Sequence, residues 1–457
     1  MLPFLSKMLF FLYHNIKNTG VSSKIKEMKK NQYKSIEELR KIQQRKLQQL
    51  LLHAYNHVPY YKKIFNQLGI DPKKLHYPEN FTQIPFLSKK LINQYQKDLI
   101  ASNFRKKDLI KNHTSGSTGE ALYFYMDKNS NYYRRALLLR HYQWIGIEWG
   151  DRIATLWGAP FDIKKSKKLR GKLHGYINNL LFLSSYNLSE DNMDIYLNKL
   201  LKFKPKLLVS YPGPLTVFSE FILNKSQKIP GLKAIITSAE TLFPWQRELI
   251  EKAFQVPVYN RYGCREFGDM AQECKKRRGL HVDIDFFYIE IVDDKGNPFE
   301  DPYENEGELI ITSLINYGMP FIRYKIGDVG KLSKKKCPCG MTLPMFSSIE
   351  GRTLDIIKTP NGNKLGGTFW TILFRSKPGI KSFQVIQKQI NSITVKYIKD
   401  PNIHKINLNW FENKIKEKCG KNFIVNFKEV KEIPKTPSGK TRFVISELDQ
   451  KLRDEEE

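Results

Sequence analysis

Apolar positions change period along the chain, and the changes mark its organisation. In the opening stretch they recur at helical spacing: Leu39, Ile42, Leu47, Leu50, Leu51 and Ala54 predict a helix within residues 33–65. Pro85 and the run from Leu87 to Leu99 predict a loop and a further helix, and Asn131 to Trp144 another, while Ala121 to Tyr125 reads as a strand. From Asp151 short apolar runs alternate with helical segments. Leu207–Ser210, Ala234–Thr237 and Val256–Tyr259 read as buried strands, each ending in unusual polar or aromatic residues. Short apolar strands separated by helices predict a parallel sheet covered on both faces, with ligands at the carboxyl ends of its strands. From about Phe286 the pattern turns β-rich, with expected strands at Tyr288–Val292, Gly307–Thr312 and Phe321–Tyr324 and a hairpin turn at Asp293–Asn297. Residues 353–457 read as a smaller α+β unit, with strands at Ser382–Ile386, Ser392–Ile398 and Phe423–Phe427 and a helix from Lys405 to Cys419.

The first residues need a separate reading. Leu2-Pro3-Phe4-Leu5 and Met8 to Tyr13 are apolar but broken by Ser6 and Lys7. The stretch is too short to span a bilayer and lacks a clear cleavage site. It predicts an amphipathic helix packed on the body. With Lys17 and the lysines from Lys24 to Lys30, contact with a membrane surface is a second reading.

A chain of 457 residues predicts two or more domains, and 41% hydrophobic with 12% aromatic residues is enough for a sizeable core, which argues against disorder. The net charge of +30 attracts polyanions, but the lysines are scattered and form no aromatic-basic motif. Specific nucleic-acid binding is therefore not expected. Five cysteines do not make a disulfide scaffold and suit a reducing, cytoplasmic setting. His53 and His57, spaced i,i+4 with no third ligand nearby, read as packing and surface.

Six consecutive positions, Thr114-Ser115-Gly116-Ser117-Thr118-Gly119, hold four hydroxyls and two glycines. Such a run builds no core. Its glycines allow close backbone approach, and its hydroxyls and N–H groups can wrap a polyphosphate. The Walker spacing is absent. The order of residues resembles the phosphate loop of the adenylate-forming enzymes, [ST]-S-G-[ST]-T-G.

Four further motifs resemble that family's, in its order. Tyr262-Gly263-Cys264-Arg265-Glu266 resembles Y-G-x-[ST]-E, which implies that Tyr262 stacks on adenine and Glu266 holds Mg²⁺. Tyr324 to Asp328 resembles Y-R-T-G-D, which implies that Asp328 binds the ribose hydroxyls. Gly351-Arg352-Thr353-Leu354-Asp355 resembles the hinge G-R-x-x-D, with Arg352 reaching ribose or phosphate. Pro437-Ser438-Gly439-Lys440 resembles the terminal P-x-G-K, which implies that Lys440 meets the α-phosphate and the attacking carboxylate. Ser238-Ala239-Glu240 resembles the adenine-contacting turn, although Ser238 also reads as a helix cap. The opening "HAY…VPYY" passage and "IPFLSKK" are similar to the phenylacetate–CoA ligase and capsule-protein branch. Two departures stand out: Glu120 follows the loop where the family usually has lysine, and Arg265 replaces a Ser or Thr.

The resemblance implies an α/β fold. A large ATP- and acyl-binding domain of parallel sheets, helices and a β-rich part would span 1–350, and a small mobile α+β domain 351–457, hinged near Arg352–Asp355. It implies activation of a small carboxylic acid by ATP and Mg²⁺, through an acyl-adenylate, followed by transfer to coenzyme A. An amine or hydroxyl acceptor on a cell-surface polysaccharide is the alternative. A polyanion-binding protein without catalysis is the reading from another class. Tyr211-Pro212-Gly213, Tyr142 and Trp144 are offered by resemblance as acyl-pocket residues and by composition as core.

A second constellation stands apart from ATP. Cys274 and His281 in "ECKKRRGLH", with Cys337 and Cys339 on "CPCG", make up a tetrahedral zinc set. The alternative is free cysteines. Cys264 and Cys419 are left over, and the chemistry needs no thiol nucleophile.

Overall fold

The computed structural model describes residues 2–17, 19–74, 81–114, 122–157, 175–185, 188–352, 357–365, 369–370, 373–374, 377–401, 403, 405–434 and 442–448, without the side chains of 351, 352 and 364. Helices open the chain: α1 (Pro3–Ile16), α2 (Val21–Asn31), α3 (Ile36–His57), α4 (Pro59–Leu68) and the short α5 (Lys89–Gln94). The start of α3 is written in a capping box. Ser35 Oγ accepts from the Glu38 N–H at 3.2 Å, and Glu38 returns a carboxylate oxygen to the Ser35 N–H at 3.0 Å. The Leu39, Leu47, Leu50, Leu51 and Ala54 stripe is buried, as its spacing requires. His53 and His57 pack ring to ring at 5.0 Å, and His53 Nε2 lies 2.9 Å from the Tyr317 carbonyl oxygen. The expected helix over Leu87–Leu99 is shorter, because Ser88 caps a helix that closes at Gln94.

The strands of the body are β1 (Ile110–His113), β2 (Tyr123–Met126), β3 (Ile153–Trp157), β4 (Leu180–Ser184), β5 (Leu207–Ser210), β6 (Ala234–Ser238), β7 (Val258–Cys264), β8 (Gly268–Glu273), β9 (Leu280–Val282), β10 (Phe287–Val292), β11 (Gly307–Ser313), β12 (Tyr324–Ser333) and β13 (Met345–Arg352). Between them lie α6 (Lys128–Trp144), α7 (Glu190–Phe203), α8 (Pro212–Lys225) and α9 (Pro244–Phe254). Apart from the β1–β2 hairpin, these strands form one sheet of eleven, in the order β10-β11-β12-β13-β9-β8-β7-β6-β5-β3-β4. Strands β4, β3, β5, β6 and β7 are parallel, as the helix-separated apolar runs require. The rest pair antiparallel, so the β-rich stretch continues the parallel sheet from β8 onward.

Two strand expectations shift. Strand β7 runs through the Tyr262 motif to Cys264 instead of stopping at Tyr259. The strand expected at Phe321–Tyr324 begins only at Tyr324. Buried Arg323 adopts φ 50°, a left-handed conformation that breaks the extended chain, and its guanidinium bonds both Glu290 carboxylate oxygens, at 3.1 and 2.9 Å.

The last part contains the pair β14 (Ile357–Lys358) and β15 (Lys364–Leu365), then β16 (Ile380–Gln389), β17 (Ser392–Lys399), α10 (Leu408–Cys419), β18 (Ile424–Glu429) and β19 (Val444–Ser446). Its four-stranded sheet, β18-β17-β16-β19, carries its own apolar cluster around Trp370, Phe374, Phe383, Phe411 and Ile415. Helix α10 starts at Leu408, three residues later than expected, because the Asn407 side chain caps the Trp410 N–H.

Candidate active site

Strand ends and turns of the large sheet gather the unusual polar residues. Parallel strands β5, β6 and β7 are neighbours, so Tyr211–Gly213, Ser238–Glu240 and Tyr262–Gly263 emerge side by side. The Gly213 N–H donates to Glu240 Oε2 at 3.0 Å and ties the first turn of α8 to the Ser238-Ala239-Glu240 turn. Ala239 takes φ 68°, a strained value for a residue with a Cβ, and such strain concentrates at functional sites. Ser238 pairs across the ladder with Arg261, one residue before Tyr262.

The Tyr262 hydroxyl donates to Asp328 Oδ2 at 2.8 Å, joining the second and third motifs. Burial first, then the Asp328 carboxylate, pushes the Tyr262 phenol well above its ordinary range, so it remains a protonated donor. Gly263 has no room for a side chain. A Cβ there would lie 2.4 Å from the Gly268 carbonyl oxygen, because β7 and β8 close on each other at this point. Beyond that contact the Tyr324 hydroxyl donates to Glu266 Oε1 at 3.2 Å, which holds a half-buried carboxylate in place. Burial first, then Glu266, pushes the Cys264 thiol well above its ordinary range, which disfavours the thiolate. Asp328 on β12 stands opposite Arg352 of β13 in the backbone register.

The loop motif is described only at its flanks. Thr114 and Leu122 clasp each other, Thr114 N–H to Leu122 carbonyl at 2.9 Å and Leu122 N–H to Thr114 Oγ1 at 3.2 Å, extending the β1–β2 pairing by one rung. Ser115, Gly116, Ser117, Thr118 and Gly119 lie outside the described residues, as do Lys440, the hinge residues Thr353–Asp355 and the Arg352 side chain. Phe443, three residues after Lys440, packs its ring 5.9 Å from Phe243, three residues after Glu240.

Of the residues offered for an acyl pocket, Tyr211 lies at a strand end, its ring 4.0 Å from Trp157. Tyr142 is in an apolar cluster with Ile145, Ile147 and Val209. Trp144 donates to Gln32 at 2.8 Å and packs 5.8 Å from the His281 ring.

That histidine belongs to the second constellation. Cys274 just after β8, His281 on β9, and Cys337 and Cys339 on the β12–β13 turn bring four ligand atoms within 4.8 Å of one another. Among the described residues this is the one such group. The Cys274–Cys337 sulfur separation is 3.6 Å, and Cys339 Sγ lies 3.4 Å from His281 Nε2. Ligands on a zinc tetrahedron with bonds of about 2.3 Å stand about 3.8 Å apart, so the donor set fits. The outer contacts agree. The Leu343 carbonyl, 3.2 Å from His281 Nδ1, takes the ring proton there and leaves Nε2 to bind, and the Lys276 N–H reaches Cys274 Sγ at 3.4 Å. Gly340 supplies φ 85° for the cysteine turn. A cleft of about 610 Å³, lined by Lys29, Tyr33, Lys276, Cys274 and Cys339 among others, opens an entry path.

Known proteins are similar to this chain in sequence and fold. Residues 357–447 match the family described as the CapK C-terminal domain. Protein CapK of Staphylococcus aureus is 26% identical over 437 residues, covering 92% of this chain and 93% of its own. Phenylacetate-coenzyme A ligase of Thermus thermophilus is 26% identical over 332 residues, 70% of this chain and 72% of its own. A solved 2-hydroxyisobutyryl-CoA ligase, in the postadenylation state with 2-HIB-AMP, superposes with a TM-score of 0.74 at 18% identity, covering 93% of each chain. These similarities support the adenylate-forming superfamily. Within it, the similarity is to the CapK and phenylacetate–CoA ligase branch.

One residue at this site carried no signal in the sequence. Arg134 of α6 donates to the Arg265 carbonyl at 3.1 Å, beside Gly268 and the Cys264–Glu266 turn. It is a half-buried cation at the second motif, in a chain whose first motif lacks the usual lysine. A lone arginine on a helix has no spacing to distinguish it.

Proposed function

We propose that the protein activates a small carboxylic acid with ATP, in the cytoplasm, and passes the acyl group to coenzyme A. The acid's carboxylate oxygen attacks the α-phosphorus, the bond to the β-phosphate oxygen breaks, and pyrophosphate leaves. The coenzyme A sulfur then attacks the acyl carbon, and AMP leaves with the electron pair of the broken C–O bond. The observation that carries this reading is the Tyr262–Asp328 bond, which joins two of the family's motifs at the end of the parallel strands. Ser238, Ala239, Glu240, Tyr262 and Gly263 frame the adenine, and Asp328 accepts from the ribose hydroxyls, with Arg352 opposite it. Thr114 to Gly119 cradle the β- and γ-phosphates with N–H and hydroxyl groups. Glu266, held by Tyr324, is the protein ligand for Mg²⁺, which when bound offsets charge on the phosphates. Lys440 neutralises charge between carboxylate and α-phosphate. Residues 1–350 form the large domain, and residues 351–457 turn about Arg352–Asp355 between the two steps.

A second acceptor is favoured by one finding. The similarity to CapK covers 92% of the chain, whereas that to the phenylacetate-coenzyme A ligases covers 70–71%. An amine or hydroxyl acceptor on a cell-surface polysaccharide is therefore the alternative destination of the same adenylate. Mass-spectrometric product analysis over a panel of carboxylic acids tests both readings. Acid-dependent AMP and pyrophosphate, with acyl-CoA when coenzyme A is present, is the expected result. Acyl-AMP that accumulates without consuming coenzyme A favours the second acceptor, and ADP with phosphate overturns both.

We further propose that Cys274, His281, Cys337 and Cys339 hold a structural zinc that locks the β12–β13 turn onto β8 and β9. Elemental analysis should give about one zinc per chain, lost in Cys337→Ser/Cys339→Ser with a lower melting temperature. A metal-free protein of unchanged stability contradicts this.

A further inference from the structure

Helix α1 is apolar on the wrong side for a surface helix. Its body-facing stripe is Ser6, Phe10 and His14. Ser6 Oγ donates to the Ile177 carbonyl at 2.7 Å, Phe10 packs 4.0 Å from the Trp149 ring, and His14 Nδ1 lies 2.7 Å from Thr19 Oγ1. At 3.6 residues per turn, the arc facing away from that stripe holds Phe4, Leu5, Met8, Leu9, Leu12 and Ile16. All six are exposed, from 38% at Leu9 to 74% at Phe4. The one polar residue in this arc is Asn15. Of the seventeen large hydrophobic residues exposed among the described residues, eight fall between Leu2 and Ile16. A surface helix ordinarily turns a polar face outward, and a contiguous apolar patch of this kind is an interaction surface.

Charge indicates what covers it. Helix α1 contains no acidic residue, and residues 1–34 carry seven lysines against the single acid Glu27. Lys26, Lys29 and Lys30 of the following α2 are exposed. A second copy would press these lysines against another chain of charge +30. An anionic bilayer suits both features, the side chains entering the acyl boundary and the lysines meeting phosphate headgroups. In a free interfacial helix the polar face is part of the helix, whereas here the protein body takes that place. No helix among the described residues is long and apolar enough to cross a membrane, so the contact is peripheral.

We propose that the outward face of α1 docks the protein on an anionic membrane surface. The test is sedimentation of the full chain with phosphatidylcholine vesicles, with and without phosphatidylglycerol. Binding is expected to the anionic vesicles and to weaken with salt. Leu12→Glu/Ile16→Glu, both on the outward arc, should lower it by at least about tenfold while leaving the fold unchanged by circular dichroism. Lys26→Glu/Lys30→Glu should weaken binding to the anionic vesicles specifically. Wild-type protein that stays in the supernatant, or a Leu12→Glu/Ile16→Glu variant that sediments equally, overturns the proposal. So does a lipid-free dimer that this variant converts to monomer, which would make the face an interface between copies.

Discussion

Tyr262 and Asp328 are sixty-six positions apart and meet through one hydrogen bond of 2.8 Å. With ATP bound, Asp328 would face two kinds of donor, the phenol and the ribose. Asp328→Asn should therefore raise KM for ATP by on the order of tenfold or more, since a charge-assisted acceptor contributes about 1.5–3 kcal/mol. Tyr262→Phe keeps the ring but removes the donor, and it should lower stability by about 1 kcal/mol with a smaller effect on KM. Steady-state kinetics and thermal melting separate the two, and an Asp328→Asn enzyme with unchanged KM contradicts the ribose assignment. These residues were legible in the sequence because they sit in short motifs with fixed spacing. Arg134 was not, since its approach to the Arg265 carbonyl depends on how α6 crosses the sheet.

At the level of elements, helix spacing identified the buried stripe of α3, and apolar runs identified β5, β6 and the start of β7. Local chemistry decided the boundaries that spacing missed, through the Ser88 and Asn407 caps and the left-handed Arg323. Two distant turns closing on one point are invisible to periodicity, yet the cysteine and histidine types alone selected all four members of the Cys274 cluster. The seat of α1 rests on a histidine. Burial first, then the Arg135 guanidinium, pushes His14 from 6.5 down to about 4. Arg135 Nη1 donates towards His14 Nε2 at 3.3 Å, so that nitrogen must stay unprotonated and the proton resides on Nδ1, facing Thr19. A histidine kept neutral by the fold contributes its full stability above pH 6.5, and that contribution is lost as pH falls from 6.5 towards 4. Hydrogen exchange over residues 3–16, corrected for intrinsic rates, should show protection falling as the pH is lowered through this window. His14→Gln should flatten the response. Protection independent of pH in the wild type contradicts the role assigned to His14.

Across the whole molecule, a single eleven-stranded sheet changes from parallel to antiparallel between β7 and β8, next to the Tyr262 motif. Sequence patterning separated a parallel part from a β-rich part, but their continuity could not be read, because pairing such as β13 with β9 joins residues far apart in the chain. The contact of Phe443 with Phe243 brings the chain after Lys440 near the turn that bears Glu240. Acid activation therefore predicts that the two ends of the motif series act in one step, with the loop at Thr114 holding the pyrophosphate that leaves and Lys440 serving the phosphorus that is attacked. The most direct measurement is carboxylic-acid-dependent exchange of labelled pyrophosphate into ATP. The wild type should exchange label with at least one acid of a broad panel, and Lys440→Ala should lose most of that rate, on the order of a hundredfold, while keeping its fold. Exchange that no acid supports, or that Lys440→Ala leaves intact, contradicts acid activation by these residues.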